Sequence, residues 1–470
     1  MESRSGFENF LGKWKFLKSR RFAVSAMSFF GLFNAYTLRV SLSVAIVAMT
    51  KTVNVTHENG TISEEKEFDW DSKEQGYVLS SFFYGYICTQ FLGGILANRF
   101  GGHIVFGIGI GVSSILVVLS PVAARLGIYH LMAARIIIGL FEGVSIPSIQ
   151  EVFARWAPIY ERTTISGIVA CGLQAGTFVA FLLSGFFAQH LGWESVFYIF
   201  GGFGAIWFTL WMIYIKKDPA SDPRITPEER TYIEENIEDP KAKRRLSAPW
   251  KDIFTSSAVY AVITANFCDL WVNFTLITEL PAFLNDVLGY DLGTTGILAA
   301  APYLLNIAVV FTISPLFDYL RSRKILTTVQ VRKLGIAVGF TICGIFLAII
   351  PNLSDVTSIS VCLIISIGVI AISSLSYFAN PLDFAPNYAA ILIGISQTVS
   401  VIPGIVSPIL TGYIVRNGSQ DEWQTVFYVS AGFCVPAVVA YMIFGKGKLQ
   451  KWATTATTEA IDEQIKLPIN

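Results

Sequence analysis

The sequence predicts an all-α membrane protein of twelve transmembrane helices, arranged as two related six-helix halves. Hydrophobic residues make up 53% of the 470 residues and charged residues only 14%, whereas a soluble domain carries about 25% charged residues. So few charges cannot cover the surface of a water-soluble protein of this length. Twelve apolar runs are long enough to cross a bilayer, which takes about 20 residues each.

An internal repeat indicates the two halves. The stretch WESVFYIFGGFG begins at Trp193, and WQTVFYVSAGFC begins at Trp423. A second pair sets WAPIYERT beside FAPNYAAI, and a third, weaker pair aligns Asn98 of GGILANRF with Asp318 of ISPLFDYL. The copies are offset by 220 to 230 residues. A repeat of this size predicts that the chain contains the same structural unit twice.

The predicted spans lie near 22–48, 76–97, 103–121, 127–151, 164–188, 195–215, 257–279, 293–317, 333–351, 356–378, 388–415 and 423–445. They divide the chain into an N-terminal half, 22–215, and a C-terminal half, 256–445. Residues 216–255 form a cytoplasmic linker between the halves, and residues 1–21 and 446–470 form cytoplasmic termini.

The linker contains the signature of a short surface helix. Thr226 is a suitable N-cap, and Pro227 suits the first helical position. Glu229 is placed to complete a capping box, in which its carboxylate bonds to the N-cap backbone.

The distribution of Lys and Arg predicts that both termini are cytoplasmic. With this orientation, 27 of the 34 Lys and Arg residues lie on the cytoplasmic side, 5 outside and 2 within spans, as the positive-inside rule requires. The acidic loop from Lys51 to Gln75 is then external, and its two glycosylation sequons predict glycans at Asn54 and Asn59. The membrane is either the plasma membrane or a lysosomal or vesicular membrane.

Four ionisable residues lie deep within predicted spans: Arg39, Arg135, Glu142 and Asp269. Each costs at least about 2.5–3.5 kcal/mol at the centre of a bilayer, so such residues usually mark a pathway or binding site. Arg39 and Arg135 share one depth, whereas Glu142 and Asp269 lie nearer the cytoplasmic side. This predicts an uncompensated positive region that binds an anion beside titratable acids. The structural alternative is that these charges pair only to hold helices together.

Other function classes lack support in the sequence. The net charge is zero, so nothing indicates a nucleic-acid partner. No nucleophile elbow, phosphate-binding loop or paired Cys/His metal spacing occurs, and the six cysteines lie inside apolar stretches. We therefore expect neither an enzyme, nor a catalytic residue, nor a bound metal or other cofactor.

Several motifs resemble a known family. GGILANRFGG is similar to the loop between spans 2 and 3 of the major facilitator superfamily. YTLRVSLSVAIV, SSFFYGYICTQFLGG, FEGVSIP, RWAPIYER, NPLDFAP and EWQTVFY resemble its anion:cation symporter family, which holds sialin, the vesicular glutamate transporters and the sodium–phosphate cotransporters. The resemblance covers residues 21 to 452 and implies the major facilitator fold, with two pseudo-symmetric halves around a central site.

The resemblance also implies roles for individual residues. Arg39 and Arg135 fall on the arginines that hold the anionic substrate, and Glu142 falls on the acid linked to proton coupling. Tyr84 and Asn380 match cavity-facing positions. Asp269 replaces an arginine of the vesicular glutamate transporters, which argues against glutamate as the substrate and suggests a second ion-coupling position.

The predicted function is therefore secondary active transport of a small organic anion, coupled to co-transported H⁺ or Na⁺, by a monomer in a lipid bilayer. The alternatives are a sodium-dependent inorganic phosphate cotransporter of the same fold and an anion sensor that does not transport. A membrane enzyme ranks third.

Overall fold

The computed structural model describes residues 19–56, 62–237 and 248–453. Within these ranges, eleven helices are long and apolar enough to cross a membrane. A twelfth span forms when Ser72–Gln90 and Leu92–Phe100, which meet at 56°, are counted as one bent helix. The twelve predicted spans are thus confirmed as helices of membrane-spanning length and composition.

We number the spans 1 to 12 in chain order: Arg20–Met49, Ser72–Phe100, Gly102–Leu126, Ile128–Trp156, Ile159–His190, Trp193–Tyr214, Ser257–Asp286, Leu292–Ser322, Thr328–Asn352, Val356–Phe384, Pro386–Ile414 and Gln420–Phe444. Short helices at Pro227–Glu235 and Trp250–Thr255 lie between spans 6 and 7. We call the end of each span nearest the loop after span 1 the hairpin end, and the opposite end the linker end.

The loop after span 1 contains an antiparallel β-hairpin that the all-α prediction did not include. Strand Thr52–Thr56 pairs with strand Ile62–Lys66, with Thr52 opposite Lys66. Four of the five residues of TVNVT are β-branched, and β-branched residues favour strands.

Spans 4 and 10, in matching positions of the repeat, are both interrupted, and span 11 is also divided, into Ala389–Val399 and Ile402–Ile414. Span 4 consists of Ile128–Glu142 and Ser145–Trp156, and span 10 consists of Val356–Val369 and Ala371–Phe384. Ile370, at the second interruption, follows Gly143, at the first, by 227 residues, which is within the offset of the sequence repeat. The repeated stretches at Trp193 and Trp423 likewise lie at the starts of spans 6 and 12.

The described residues form two compact units. The N-terminal unit comprises those of Met1–Leu42, Tyr84–Ala180 and Glu194–Asp239, and the C-terminal unit those of Ser43–Phe83, Phe181–Trp193 and Pro240–Asn470. The hairpin ends of spans 1, 2 and 5 therefore belong to the C-terminal unit. The boundaries 22–215 and 256–445 stay a prediction about the order of the repeat along the chain.

The N-terminal unit has an aromatic core between spans 3 and 6. Phe106 lies 5.6 Å from Trp207 and 5.1 Å from Trp211, measured between ring centroids. The Trp207 indole donates a hydrogen bond to the Met27 carbonyl at 3.0 Å, which adds span 1 to this core. A buried indole whose N–H group is hydrogen-bonded fixes the position of its helix and also buries apolar surface.

The linker helix is held against the start of span 1 by acidic side chains. Thr226 caps it as predicted, accepting a hydrogen bond from the Glu229 backbone N–H at 3.3 Å. The predicted capping box is wrong, because the Glu229 carboxylate instead accepts from the backbone N–H groups of Arg20 and Arg21, both at 3.0 Å. The first N–H groups of a helix have no partner inside it, so they attract an acid. Arg20 also pairs with Asp222 at 2.7 Å.

Aromatic contacts join the hairpin ends of spans 2 and 5 to the rest of the C-terminal unit. The Tyr77 and Tyr413 hydroxyls lie 2.8 Å apart. The rings of Phe83 and Phe274 are 4.7 Å apart, and Phe181 stacks on Tyr303 at 5.6 Å. These pairs connect span 2 with spans 7 and 11, and span 5 with span 8.

Candidate transport site

Arg39 is the centre of a buried charged group in the N-terminal unit. Its guanidinium carbon lies 4.7 Å from the ring centroid of Tyr36 and 4.6 Å from that of Tyr86. Tyr36 precedes Arg39 by one helical turn in span 1, whereas Tyr86 comes from span 2. Both distances are within the range of a cation–π interaction, which strengthens when the cation is shielded from water. The two rings therefore hold the guanidinium in a defined position.

Glu142 and Arg135 of span 4 complete the group. Glu142 Oε2 lies 3.5 Å from Arg39 Nη2, and Arg135 Nη2 donates to the Arg39 carbonyl at 3.3 Å. The three side chains are deeply buried, since Arg39, Arg135 and Glu142 are 7%, 3% and 1% exposed. We call Tyr36, Arg39, Tyr86, Arg135 and Glu142 the arginine cluster.

This geometry corrects one sequence-based expectation. The sequence predicts that Glu142 lies too far toward the cytoplasm to compensate Arg39. The structure brings the two side chains together, because long side chains from neighbouring helices bridge a difference in backbone depth. Arg39 and Arg135, which were expected at one depth, are in contact.

The carboxylate of Glu142 keeps unused hydrogen-bonding capacity. Neither of its oxygens has a hydrogen-bond partner among the residues that the structure describes, although the ion pair with Arg39 lies at 3.5 Å. A buried charged group normally has its lone pairs satisfied. The Glu142 carboxylate is therefore able to take up a proton or to yield Arg39 to another anion.

The local sequence explains why Glu142 lies at this point. It is the last residue of the first helical segment of span 4, and Gly143 follows it in the interruption. A Cβ atom at Gly143 would overlap the Thr89 hydroxyl and lie 2.6 Å from the Tyr86 carbonyl. Glycine thus lets span 2 approach span 4 closely. This approach places Tyr86 beside the charged group.

Asp269 lies in the C-terminal unit and has its own partners. Its Oδ2 atom accepts hydrogen bonds from the Tyr377 hydroxyl at 2.8 Å and from the Ser374 hydroxyl at 3.2 Å. Both donors follow the interruption in span 10. Oδ1 is buried without a hydrogen-bond partner in the described ranges. Asp269 is thus a buried acid held by neutral donors rather than by an arginine.

Polar side chains continue from Asp269 toward the linker end of span 7. The Asn266 amide donates to Ser396 Oγ at 2.9 Å and to Gln397 Oε1 at 2.7 Å, both in span 11. A cavity of about 10 Å³ lies beside Asn266, Tyr377 and Ser396, which is room for about one water molecule.

The remaining predicted site residues are Tyr84, Asn380, Asn54 and Asn59. Tyr84 is half-buried, and its carbonyl accepts from Cys88 Sγ at 3.2 Å. Asn380 is buried near the linker end of span 10, where its amide donates to the Lys446 carbonyl at 2.9 Å. The side chain of Asn54, in strand Thr52–Thr56, and the whole of Asn59 lie outside the described residues. The roles of these four residues stay predictions.

Sequence reasoning missed the aromatic and hydroxyl partners of the buried charges. Tyr36 carries a signal, since it precedes Arg39 by three residues and so lies on the same face of the helix. Ser374 and Tyr377 are similarly three residues apart in span 10. Tyr86 carries none, because its contact with Arg39 depends on how closely spans 2 and 4 approach. The ion pair of Arg332 with Asp383 at 2.8 Å was also missed.

Comparison with known proteins assigns the family. The family profile described as Major Facilitator Superfamily matches residues 24–408. The chain belongs to the major facilitator superfamily.

Two solved structures of low sequence identity share this fold. An inward-facing bacterial homologue of the human lysosomal transporter Spinster has a TM-score of 0.67 and 16% identity, over 94% of this chain and 98% of its own. A D-xylose–proton symporter has a TM-score of 0.67 and 14% identity, over 92% of this chain and 100% of its own.

Within the superfamily, the chain is similar to vesicular glutamate transporters. Vesicular glutamate transporter 2 of Bos taurus is 37% identical over 444 residues, covering 93% of this chain and 76% of that protein. Vesicular glutamate transporter 1 of Xenopus laevis is 36% identical over 446 residues, covering 93% and 77%. These relatives confirm the predicted membership of the anion:cation symporter family.

Proposed function

We propose that this chain is a secondary active transporter of small organic anions, coupled to H⁺ or Na⁺ and working by alternating access. The observation that carries the proposal is the arginine cluster, in which Arg39 lies between two tyrosine rings and beside Glu142. Ionisable groups in spans are costly and usually serve a pathway. The vesicular glutamate transporters to which the chain is similar carry an anion, as their name states.

In this proposal, the substrate anion competes with Glu142 for Arg39. Protonation of Glu142 would remove its charge and release the guanidinium, whose planar fork matches the oxygens of a carboxylate or phosphate. Arg135 would add a second positive charge next to the same backbone. Loading of the anion and of a proton would thereby be coupled through one side chain.

Asp269 supports a monoanion and cation coupling rather than a dianionic substrate. A fixed negative charge disfavours a second negative charge on the ligand, and the free oxygen of Asp269 is suited to a proton or Na⁺. The loop with the β-hairpin faces the outside or the organelle lumen, both termini face the cytoplasm, and a monomer suffices for transport.

The test is uptake into proteoliposomes that contain the purified full-length chain. A labelled monocarboxylate, glutamate and inorganic phosphate are offered under imposed H⁺ or Na⁺ gradients, with empty liposomes as the control. We expect gradient-driven accumulation of the monocarboxylate. Accumulation of phosphate alone under a Na⁺ gradient would replace this proposal with the phosphate cotransporter. Anion binding without flux would identify a sensor.

A further inference from the structure

A polar cavity of about 250 Å³ lies at the hairpin end of span 7 in the C-terminal unit. The ends of spans 1, 2, 11 and 12 and residues of the hairpin complete its lining. Four charged residues line it: Glu279 and Asp286 of span 7, Lys51 after span 1, and Lys66 of the second strand. Gln75 and Thr411 are among its neutral oxygen-bearing residues.

Glu279 is the buried charged group of this cavity. It is 8% exposed, and its Oε1 atom has no hydrogen-bond partner in the part of the chain that the structure describes. Asp286, Lys51 and Lys66 are exposed by contrast. No ion pair within 4.0 Å joins either lysine to either acid among the described residues. The Glu279 charge therefore lacks a direct protein cation.

The chemistry of the lining selects the ligand. A buried carboxylate is destabilising unless a cation or proton neutralises it, and the neutral oxygens nearby suit a hard cation. Glu279 and Asp286 are seven residues apart, about 10 Å along a helix. A single divalent ion, with ligand distances of about 2.0–2.6 Å, would not be held by both. Glu279 thus fits one positive charge, and Lys51 and Lys66 disfavour a larger one.

We propose that this cavity is a binding site for a monovalent cation, H⁺ or Na⁺, held at Glu279. The site is separate from the one at Asp269, because ten residues of span 7 place the two acids about 15 Å apart along the helix axis. The inference goes beyond the proposed function, since binding at Glu279 can be measured without any transport. Because several spans line the cavity, the bound cation would also stabilise their packing at the hairpin end.

Thermal unfolding of the purified full-length chain in detergent tests this site. The melting temperature is measured with Na⁺ or choline at about 150 mM, and at about pH 8 and pH 5.5, for the wild type and Glu279→Gln. The matched control is Asp291→Asn, which removes one negative charge from the N-cap of span 8 but keeps a side-chain acceptor there. Neither substituted residue belongs to the arginine cluster.

Two results would support the site and identify the cation. For Na⁺, we expect a rise of about 2–4 °C on replacing choline in the wild type and in Asp291→Asn, but not in Glu279→Gln. For H⁺, we expect no Na⁺ effect, and a stabilisation on acidification that is larger in the wild type and the control than in Glu279→Gln.

Equal responses of Glu279→Gln and the wild type to both cations would overturn the site. If Glu279→Gln cannot be purified, Glu279→Asp is tested in its place, because it keeps the charge but withdraws the carboxylate by one methylene. The proposal then predicts that the Na⁺ concentration or the proton concentration that gives half of the stabilisation changes at least about threefold in Glu279→Asp. Unchanged midpoints in Glu279→Asp would equally reject the site.

Discussion

At the scale of single residues, the protein stabilises its buried charges in two different ways. Arg39 has two aromatic rings and a carboxylate as neighbours, whereas Asp269 has two hydroxyl donors. The first arrangement places a cation beside an acid that can be exchanged for another anion. The second leaves an acid whose charge is solvated by neutral groups. In the proposed function, the first arrangement serves the anion and the second serves the coupling cation.

The first prediction concerns the guanidinium of Arg39. We expect Arg39→Lys to weaken anion binding about tenfold, because an ammonium lacks both the fork and the flat face that lies against Tyr36 and Tyr86. The measurement is the affinity of the purified, folded variant for the anion that the wild type transports. Arg125→Lys is the matched control, since Arg125 is an exposed arginine that pairs with Glu194. Wild-type affinity in Arg39→Lys would place the anion elsewhere.

The second prediction separates coupling from binding at Glu142. Glu142→Gln keeps the shape of the side chain but cannot titrate, so we expect proton-driven accumulation to fall at least about tenfold while anion exchange at equal pH persists. Both are measured in the same proteoliposomes. Loss of exchange as well would indicate that the ion pair with Arg39 is needed for structure, as removing one partner of a buried pair costs about 3–5 kcal/mol. Unchanged proton-driven accumulation would remove Glu142 from the coupling mechanism.

At the scale of helices, the approach of span 2 to span 4 shapes the arginine cluster. Gly85 and Gly143 lie on opposite sides of this contact, and each faces backbone atoms of the other span. Tyr86 follows Gly85 directly and reaches Arg39 from there. Small residues at a helix contact let backbones approach closely, and the resulting van der Waals packing helps helices to associate in membranes. The geometry of the arginine cluster therefore depends on residues that carry no functional group.

The third prediction tests that contact. A Cβ atom in Gly85→Ala would overlap the Ile136 carbonyl and lie 2.6 Å from the Leu140 nitrogen. We expect Gly85→Ala to destabilise the protein by about 1–3 kcal/mol, the usual cost of overpacking, and to lower its melting temperature. Gly202→Ala in span 6 is the control, because no atom lies within 4 Å of its added Cβ. Equal stability of the two variants would mean that spans 2 and 4 are less tightly packed at Gly85 than the structure shows.

At the scale of the whole molecule, the repeat in the sequence corresponds to matching spans. Spans 4 and 10 are both interrupted; Glu142 directly precedes the first interruption, and Ser374 and Tyr377 follow the second by four and seven residues. Discontinuous spans at binding sites are a general feature of transporters built from repeats. Corresponding spans of the two halves thus contribute to the arginine cluster and to the hydroxyl partners of Asp269, although the chemistry of the two groups differs.

The fourth prediction concerns the orientation of the chain. Because 27 of the 34 Lys and Arg residues lie on one side, we expect both termini in the cytoplasm and glycans on Asn54 or Asn59 in a eukaryotic cell. Glycosidase treatment should increase the gel mobility of the wild type but not of an Asn54→Gln/Asn59→Gln double variant. Cleavage of a C-terminal tag by protease added to intact cells or sealed vesicles of cytoplasm-inside orientation would contradict this topology.

The sequence by itself determined the features that depend on composition and on position along the chain. Hydropathy and span length predict twelve helices because the bilayer imposes one requirement on every segment. The same energetics single out Arg39, Arg135, Glu142 and Asp269, since each is costly wherever it points. The repeat predicts which spans correspond.

Only the tertiary structure decided which side chains meet. Sequence gives the depth of a residue in a span, but contact also depends on how each helix is rotated and how closely its neighbours approach. Arg39 thus meets Tyr86 and Glu142 through the glycine contact of spans 2 and 4. Glu279 illustrates the same limit, because the sequence predicts that span 7 stops at this residue. The helix continues to Asp286, and the surrounding packing buries Glu279 beside a polar cavity, because residues distant in sequence cover it.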